Sequence, residues 1–120
     1  MALRAVRGAT CLDVDDADHM RDRVVELLRA MLEQNGLSTD NLVSVILTAT
    51  PDLRSSFPAT AARSVGLGDV PLLSAQEVDV TGALPRVVRV LAHVNTELAR
   101  RAITHVYQHG AEVLRQDLAQ

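Results

Sequence analysis

Every basic side chain in this 120-residue sequence is an arginine; there are twelve, and no lysine. Each is a permanently charged planar fork, a shape that grips a carboxylate through two parallel hydrogen bonds. Two of them interrupt apolar strand patterns. Arg7 shares a face with Leu3, Ala5, Ala9 and Cys11 in an alternating segment from Leu3 to Leu12. Arg89 leaves the segment Val87 to Asn95 on the side opposite Val88, Val90, Ala92 and Val94, beside Leu91. Glu77 is a lone carboxylate near the end of a third alternating segment, Val70 to Val80, on one face with Leu73, Ala75 and Asp79. An arginine lining an enclosed pocket is the functional reading of Arg89 and a surface salt bridge the plain one, and the sequence period alone does not separate them. The plainer alternatives stay open on pattern alone: Arg7 as a surface cation, and Arg89 with Glu77 as a structural salt bridge.

Other chemistries find little support. The single cysteine, Cys11, rules out an internal disulfide framework, and no Cys/His spacing resembles a zinc site. His105 and His109 are four apart, but their segment carries no helical apolar stripe and no third ligand, so no metal site is expected. The acidic run Asp13, Asp15, Asp16 and Asp18 reads as capping for the helix that follows. Gly66 and Gly68 lack the third glycine and long helix of a dinucleotide fingerprint. A net charge of −3 without a basic cluster argues against a nucleic-acid partner. No apolar run approaches the ~18 residues of a membrane span, and the first residues form no signal peptide, so a soluble cytoplasmic protein with no membrane partner is expected.

The elements that must position these side chains are an initial strand and then a helix with the stripe Met20, Val24, Leu27, Leu28 and Met31, closing near Gly36. A central strand, Leu42 to Thr48, stops at Thr50-Pro51, because proline cannot donate to a ladder. A loop from Asp52 to Pro58 and a short helix from Ala59 to Val65 lead to the strands containing Glu77 and Arg89. One or two helical turns fit Thr96 to Ile103; His105 to Tyr107 and Ala111 to Leu114 are short strand candidates. The fold expected is α+β: one domain over residues 1–120, a mixed sheet with one long amphipathic helix across it. With only Phe57 and Tyr107 aromatic, the core is Leu, Val and Ala, and oligomerisation is a natural way to complete it.

An ordered series of motifs runs through nearly the whole chain: Arg4-Ala5-Val6-Arg7-Gly8-Ala9-Thr10, Leu47-Thr48-Ala49-Thr50-Pro51-Asp52-Leu53, Phe57-Pro58-Ala59 with Ala61 and Arg63, Gln76-Glu77, Asp79-Val80-Thr81-Gly82, Arg89-Val90, His105-Val106-Tyr107 and Val113-Leu114-Arg115. Together they resemble the small chorismate mutases of the AroH type. The resemblance implies a pseudo-α/β-barrel homotrimer with sites at subunit interfaces. It also implies rearrangement of chorismate to prephenate, a unimolecular 3,3-sigmatropic step that needs no cofactor, metal or nucleophile.

By that resemblance Arg89, Glu77 and Arg7 are the catalytic set. Arg89 donates to the breaking ether oxygen and to a carboxylate, Arg7 and the Tyr107 hydroxyl hold the side-chain carboxylate, and Glu77 accepts the ring hydroxyl with Ser74 beside it. Phe57, Ala59, Leu72 and Leu73 form an apolar wall, Phe57 and its neighbours coming from the adjacent subunit. Thr60 and Arg63 lie at the mouth, and Leu114 and Arg115 close the site. The chain departs from the family pattern at Thr60, usually lysine, at Ser74, often cysteine, at Gln116, usually proline, and in a segment one residue shorter between Arg63 and Glu77. The tail after Gln116 is also short. A non-catalytic carboxylate-binding or regulatory trimer on this fold is the competing reading; it would need an arginine but no opposed hydroxyl acceptor.

Overall fold

The acidic run and the apolar stripe after it fix the longest helix. Asp16 takes an extended conformation and its carboxylate accepts the His19 N–H at 2.9 Å, satisfying one free donor of the first turn. Helix α1 then runs Ala17–Glu33, burying Met20, Val24, Leu27, Leu28 and Met31. It ends where Gly36 takes a φ of +64°, a conformation that costs glycine little. Asn35, nearly buried, ties this end down: its amide donates to the Met31 and Thr104 carbonyls and accepts the Thr104 N–H.

The computed structural model describes residues 1–118. Five strands form one mixed sheet: β1 Ala2–Cys11, β2 Leu42–Ala49, β3 Leu72–Gln76, β4 Val87–Thr96 and β5 Val106–Gln108, in the order β3-β2-β4-β1-β5. The β1–β4 and β2–β4 pairs are antiparallel, whereas β1–β5 and β2–β3 are parallel. The central place belongs to β4, the strand of Arg89; the segment expected to be central, β2, lies beside it. Two short helices, α2 Pro58–Arg63 and α3 Glu112–Leu118, complete the fold with single 3₁₀ turns at Thr39–Asn41 and Arg100–Ala102.

One sheet face carries the core. Val6, Val45, Leu47, Val88, Val90, Ala92 and Val94 pack under α1 with Ala61 and Ala62 of α2. At roughly 1.5–3 kcal/mol for each large aliphatic side chain removed from water, this layer is the main stabilising term. The helix packs tightly on Gly8, where an added Cβ would run into Met31 Sδ. Among the described residues no long helix lies over the opposite face; only α3 reaches it, where Val113 and Leu114 line a recess with Glu77 and Arg89. On that face Leu3 and Leu73 remain largely exposed, and Ala5, Arg7, Ile46, Arg89, Leu91 and His93 stand around them.

Two expected strands change. The segment Val70 to Val80 is a strand only over Leu72–Gln76: the Glu77 N–H makes a last rung to the Ala49 carbonyl, where β2 ends, and Val78 and Val80 then stand exposed. Ala111 to Leu114, expected as a strand, enters helix α3. Strand β5 pairs only with β1, through Gln108 opposite Thr10, and β1 stops one residue later, so no ladder remains for the chain to continue.

Candidate active site

The uncovered face acquires its chemistry from register. Residues directly opposite one another in a sheet point to the same side. The pairs Ala75–Thr48, Thr48–Arg89, Arg89–Ala9 and Ala9–Tyr107 therefore form one row across all five strands. The next row contains Leu73, Ile46, Leu91 and Arg7. With strands about 4.8 Å apart, Arg89 and Tyr107 are roughly 10 Å apart, with the small Ala9 between them. Arg7 is a diagonal neighbour of Arg89 on the adjoining strand.

Glu77 joins the row from just beyond β3. Its Oε2 accepts a short hydrogen bond from Thr48 Oγ1 and lies 3.8 Å from Arg89 Nε. The carboxylate is the more enclosed partner, with side-chain exposure of 27% against 48% for the guanidinium. At 3.8 Å through Nε this is a loose ion pair. The salt-bridge reading of the sequence is thus met in geometry, and donor capacity remains for a ligand. Thr48 was not singled out in the sequence; only the non-local register places it between Ala75 and Arg89.

The candidate residues divide between three recesses. One of about 600 Å³ brings together Glu77, Arg89, Leu114, Val113 and the irregular segment Val78–Pro85. A second, about 550 Å³, contains Phe57, Pro58, Ser74 and the loop after Thr50. Thr50 lies on the rim of both. Arg7 lines a third, about 480 Å³, with His93 and His105. Ser74, expected beside Glu77, points to the other side of β3; its Oγ is buried without a hydrogen-bond partner in the Phe57 recess.

The four residues expected to form one apolar wall do not form one surface. Phe57 is 72% exposed and Leu73 61%, whereas Ala59 is buried and Leu72 packs against the core. Thr60 and Arg63 are exposed on α2, and Arg115 is exposed on α3. The tail after Leu118 lies outside the described residues.

The acidic run serves more than capping. Asp13 pairs with Arg23 at 2.9 Å, and Asp15 accepts the Arg54 and Ser55 N–H groups at 3.1 Å, anchoring the loop that leads to Phe57. Hydrogen bonds from the Ser55 side chain and these amides hold the Asp15 carboxyl below its ordinary range. Asp52 accepts the Arg86 N–H and steadies the turn into β4, where Arg86 has a φ of +52°. The Cys11 thiol is pushed up, chiefly by burial, which disfavours the nucleophilic thiolate. Among the described residues no group of three His, Cys, Asp or Glu side chains is placed to hold a metal, and no helix is long and apolar enough to cross a membrane.

Residues 3–118 match the family model of chorismate mutase type I. The chain is 49% identical over 117 residues to the AroH chorismate mutase of Thermus thermophilus, covering 97% of this chain and 96% of that one. It is 38% identical over 120 residues to the Bacillus subtilis (strain 168) AroH enzyme, covering 99% and 94%. A solved chorismate mutase from Clostridium thermocellum superposes with a TM-score of 0.89 at 43% identity, over 91% of this chain and 97% of that one. Matched along nearly its whole length by the family model and by both AroH enzymes, the chain belongs to the type I chorismate mutases.

Proposed function

We propose that this chain, as one chorismate mutase domain, isomerises chorismate to prephenate in a site centred on the Arg89 row. The observation that carries the reading is the arrangement of Arg89 between Thr48-supported Glu77 on one side and Ala9 and Tyr107 on the other.

Chorismate is a flexible dianion with an ether oxygen and a ring hydroxyl. Its rearrangement breaks a C–O bond and forms a C–C bond within one molecule, so catalysis consists of folding the enolpyruvyl arm over the ring and meeting charge on the ether oxygen. Arg89 donates to that oxygen and to a carboxylate. Arg7 and the Tyr107 hydroxyl hold the side-chain carboxylate at the other end of the row, and Glu77 accepts the ring hydroxyl. Residue chemistry supports a cofactor-independent and metal-independent reaction, because no proton, hydride or nucleophile has to be exchanged.

A homotrimer supplies the remaining wall. Phe57 is too exposed to be a core residue and lies in a recess separate from Arg89. Packing of the uncovered sheet faces would place Phe57 and Leu73 of one subunit against the Arg89 recess of the next, with Ala59, Leu72 and Ser74 supporting them from below. Thr60 and Arg63 then flank the mouth, and Leu114 and Arg115 close it. The product serves aromatic amino-acid biosynthesis through the shikimate pathway, which fits a cytoplasmic enzyme acting on a free metabolite, with neither nucleic acid nor membrane as a partner.

The test follows loss of chorismate absorbance without added metal or cofactor, for the wild type beside Arg89→Ala. Conversion to prephenate by the wild type alone supports both reaction and residue. Saturable binding with no conversion by either protein would favour the carboxylate binder.

A further inference from the structure

Arg7 has only its own side chain to offer a ligand; its main chain is held by another residue. The Arg7 N–H donates to His105 Nδ1 at 2.9 Å, across 98 positions of sequence. His105 immediately precedes β5, whose Val106 registers with Gly8 and whose Tyr107 registers with Ala9. One imidazole therefore joins the residue before Gly8 to the residue before Val106, at the point where the Arg7 and Tyr107 strands meet.

The surroundings of this ring are cationic. Arg7 faces it from β1 and Arg115 from α3, and it shares a recess with Arg4, Arg100 from the 3₁₀ turn, and His93 of β4. Among the described residues no acidic side chain lines that recess. Burial first, then Arg7 and Arg115, hold the ring below its ordinary value of 6.5. A neutral imidazole has one nitrogen free to accept, and the Arg7 amide requires that nitrogen to be Nδ1. A proton there would turn an acceptor into a donor facing a donor.

We propose that His105 is a positioning residue of the mutase reaction: its Nδ1 fixes the Arg7 main chain, and through it the Arg7 guanidinium, against the substrate's side-chain carboxylate. This rests on the assignment of Arg7 to substrate binding. His105 touches no reacting atom; it sets how well Arg7 is aimed, and protonation of the ring releases the strand.

The experiment compares pH profiles of kcat and KM for wild type, His105→Asn, His105→Ala and Arg7→Ala. Asparagine presents an amide oxygen near the position of Nδ1 and does not titrate in this range. Removing one hydrogen bond of this kind should raise the KM of His105→Ala by about tenfold with a smaller change in kcat. His105→Asn should restore most of that KM at neutral pH, and should lack the wild type's acid-side fall in kcat/KM below about pH 6.5, the ordinary imidazole range. NMR titration of the wild-type ring gives a readout that needs no variant, and should find its midpoint coincident with the acid limb of kcat/KM.

An identical acid limb in His105→Asn, an unchanged KM in His105→Ala, or a ring midpoint away from that limb would each overturn the proposal. The Arg7→Ala arm separates the two levels of inference. A raised KM there with an unaffected His105→Ala sinks only the role of His105, whereas an unchanged KM in Arg7→Ala removes Arg7 from the site and His105 with it.

Discussion

At Arg89 the backbone that carries the guanidinium is fixed, because β4 is the central strand and is hydrogen-bonded on both sides. Arg89→Ala should therefore lose at least ~3 kcal/mol of transition-state stabilisation, read as a fall of two orders of magnitude or more in kcat. Arg89→Lys keeps the charge but loses the planar fork, so it should recover only part of this loss. Thr48→Val deletes the hydroxyl that steadies Glu77 while keeping a β-branched strand residue. Loss of a hydrogen bond to a charged group, about 1.5–3 kcal/mol at full strength, predicts a drop in kcat/KM of roughly tenfold or more in steady-state assays. His105 also links stability to pH. Its folded pKa lies below the unfolded value, so the unfolded chain binds more protons in that interval and stability should rise as pH increases through it to about 6.5. Urea midpoints across this window should slope upward in the wild type and less steeply in His105→Asn. Of these residues Arg7, Glu77, Arg89 and Tyr107 could be picked out in the sequence. Thr48 could not, since an isolated threonine in a strand signals nothing until its partner is known.

The elements show where alternation is informative and where it misleads. The pattern of β4 was legible because every second residue is aliphatic and the strand has neighbours along its length. The same alternation through Val78 and Val80 suggested a longer β3, but a strand lasts only while another backbone pairs with it, and β2 ends before Pro51. The stripe of α1 was equally clear, whereas the anchoring of its C-terminal end through Asn35 joins positions 69 residues apart and left no local signal. Asn35→Ala strands the Thr104 N–H and two carbonyls near the core. A loss of about 1–3 kcal/mol is expected from chemical denaturation, with the far-ultraviolet spectrum of the folded state retained. Gly8→Val forces side-chain atoms into Met31 and Leu27 and should cost about 1–3 kcal/mol by overpacking. Pairing it with Met31→Ala should recover part of that loss.

The whole molecule presents a covered and an uncovered sheet face, and the proposed trimer would pack through the second. Composition hinted at this, since a chain with so few aromatics has limited means to fill one large core. The uncovered face itself could not be read from any one segment, because its membership depends on register among five strands. Leu91→Glu puts a charge in the middle of the uncovered face, next to Ile46 and Arg7. Light scattering after gel filtration should show monomers in place of trimers, accompanied by lost turnover if the Phe57 recess of one subunit completes the Arg89 recess of another. The same economy in aromatics has an optical consequence. There is no tryptophan, and the single tyrosine, Tyr107, stands in the Arg89 row two strands from the guanidinium. Excited where phenylalanine does not absorb, the protein's ultraviolet emission thus originates from one phenol per chain, at one end of that row, and the unlabelled molecule carries its own local probe of what occupies the sheet.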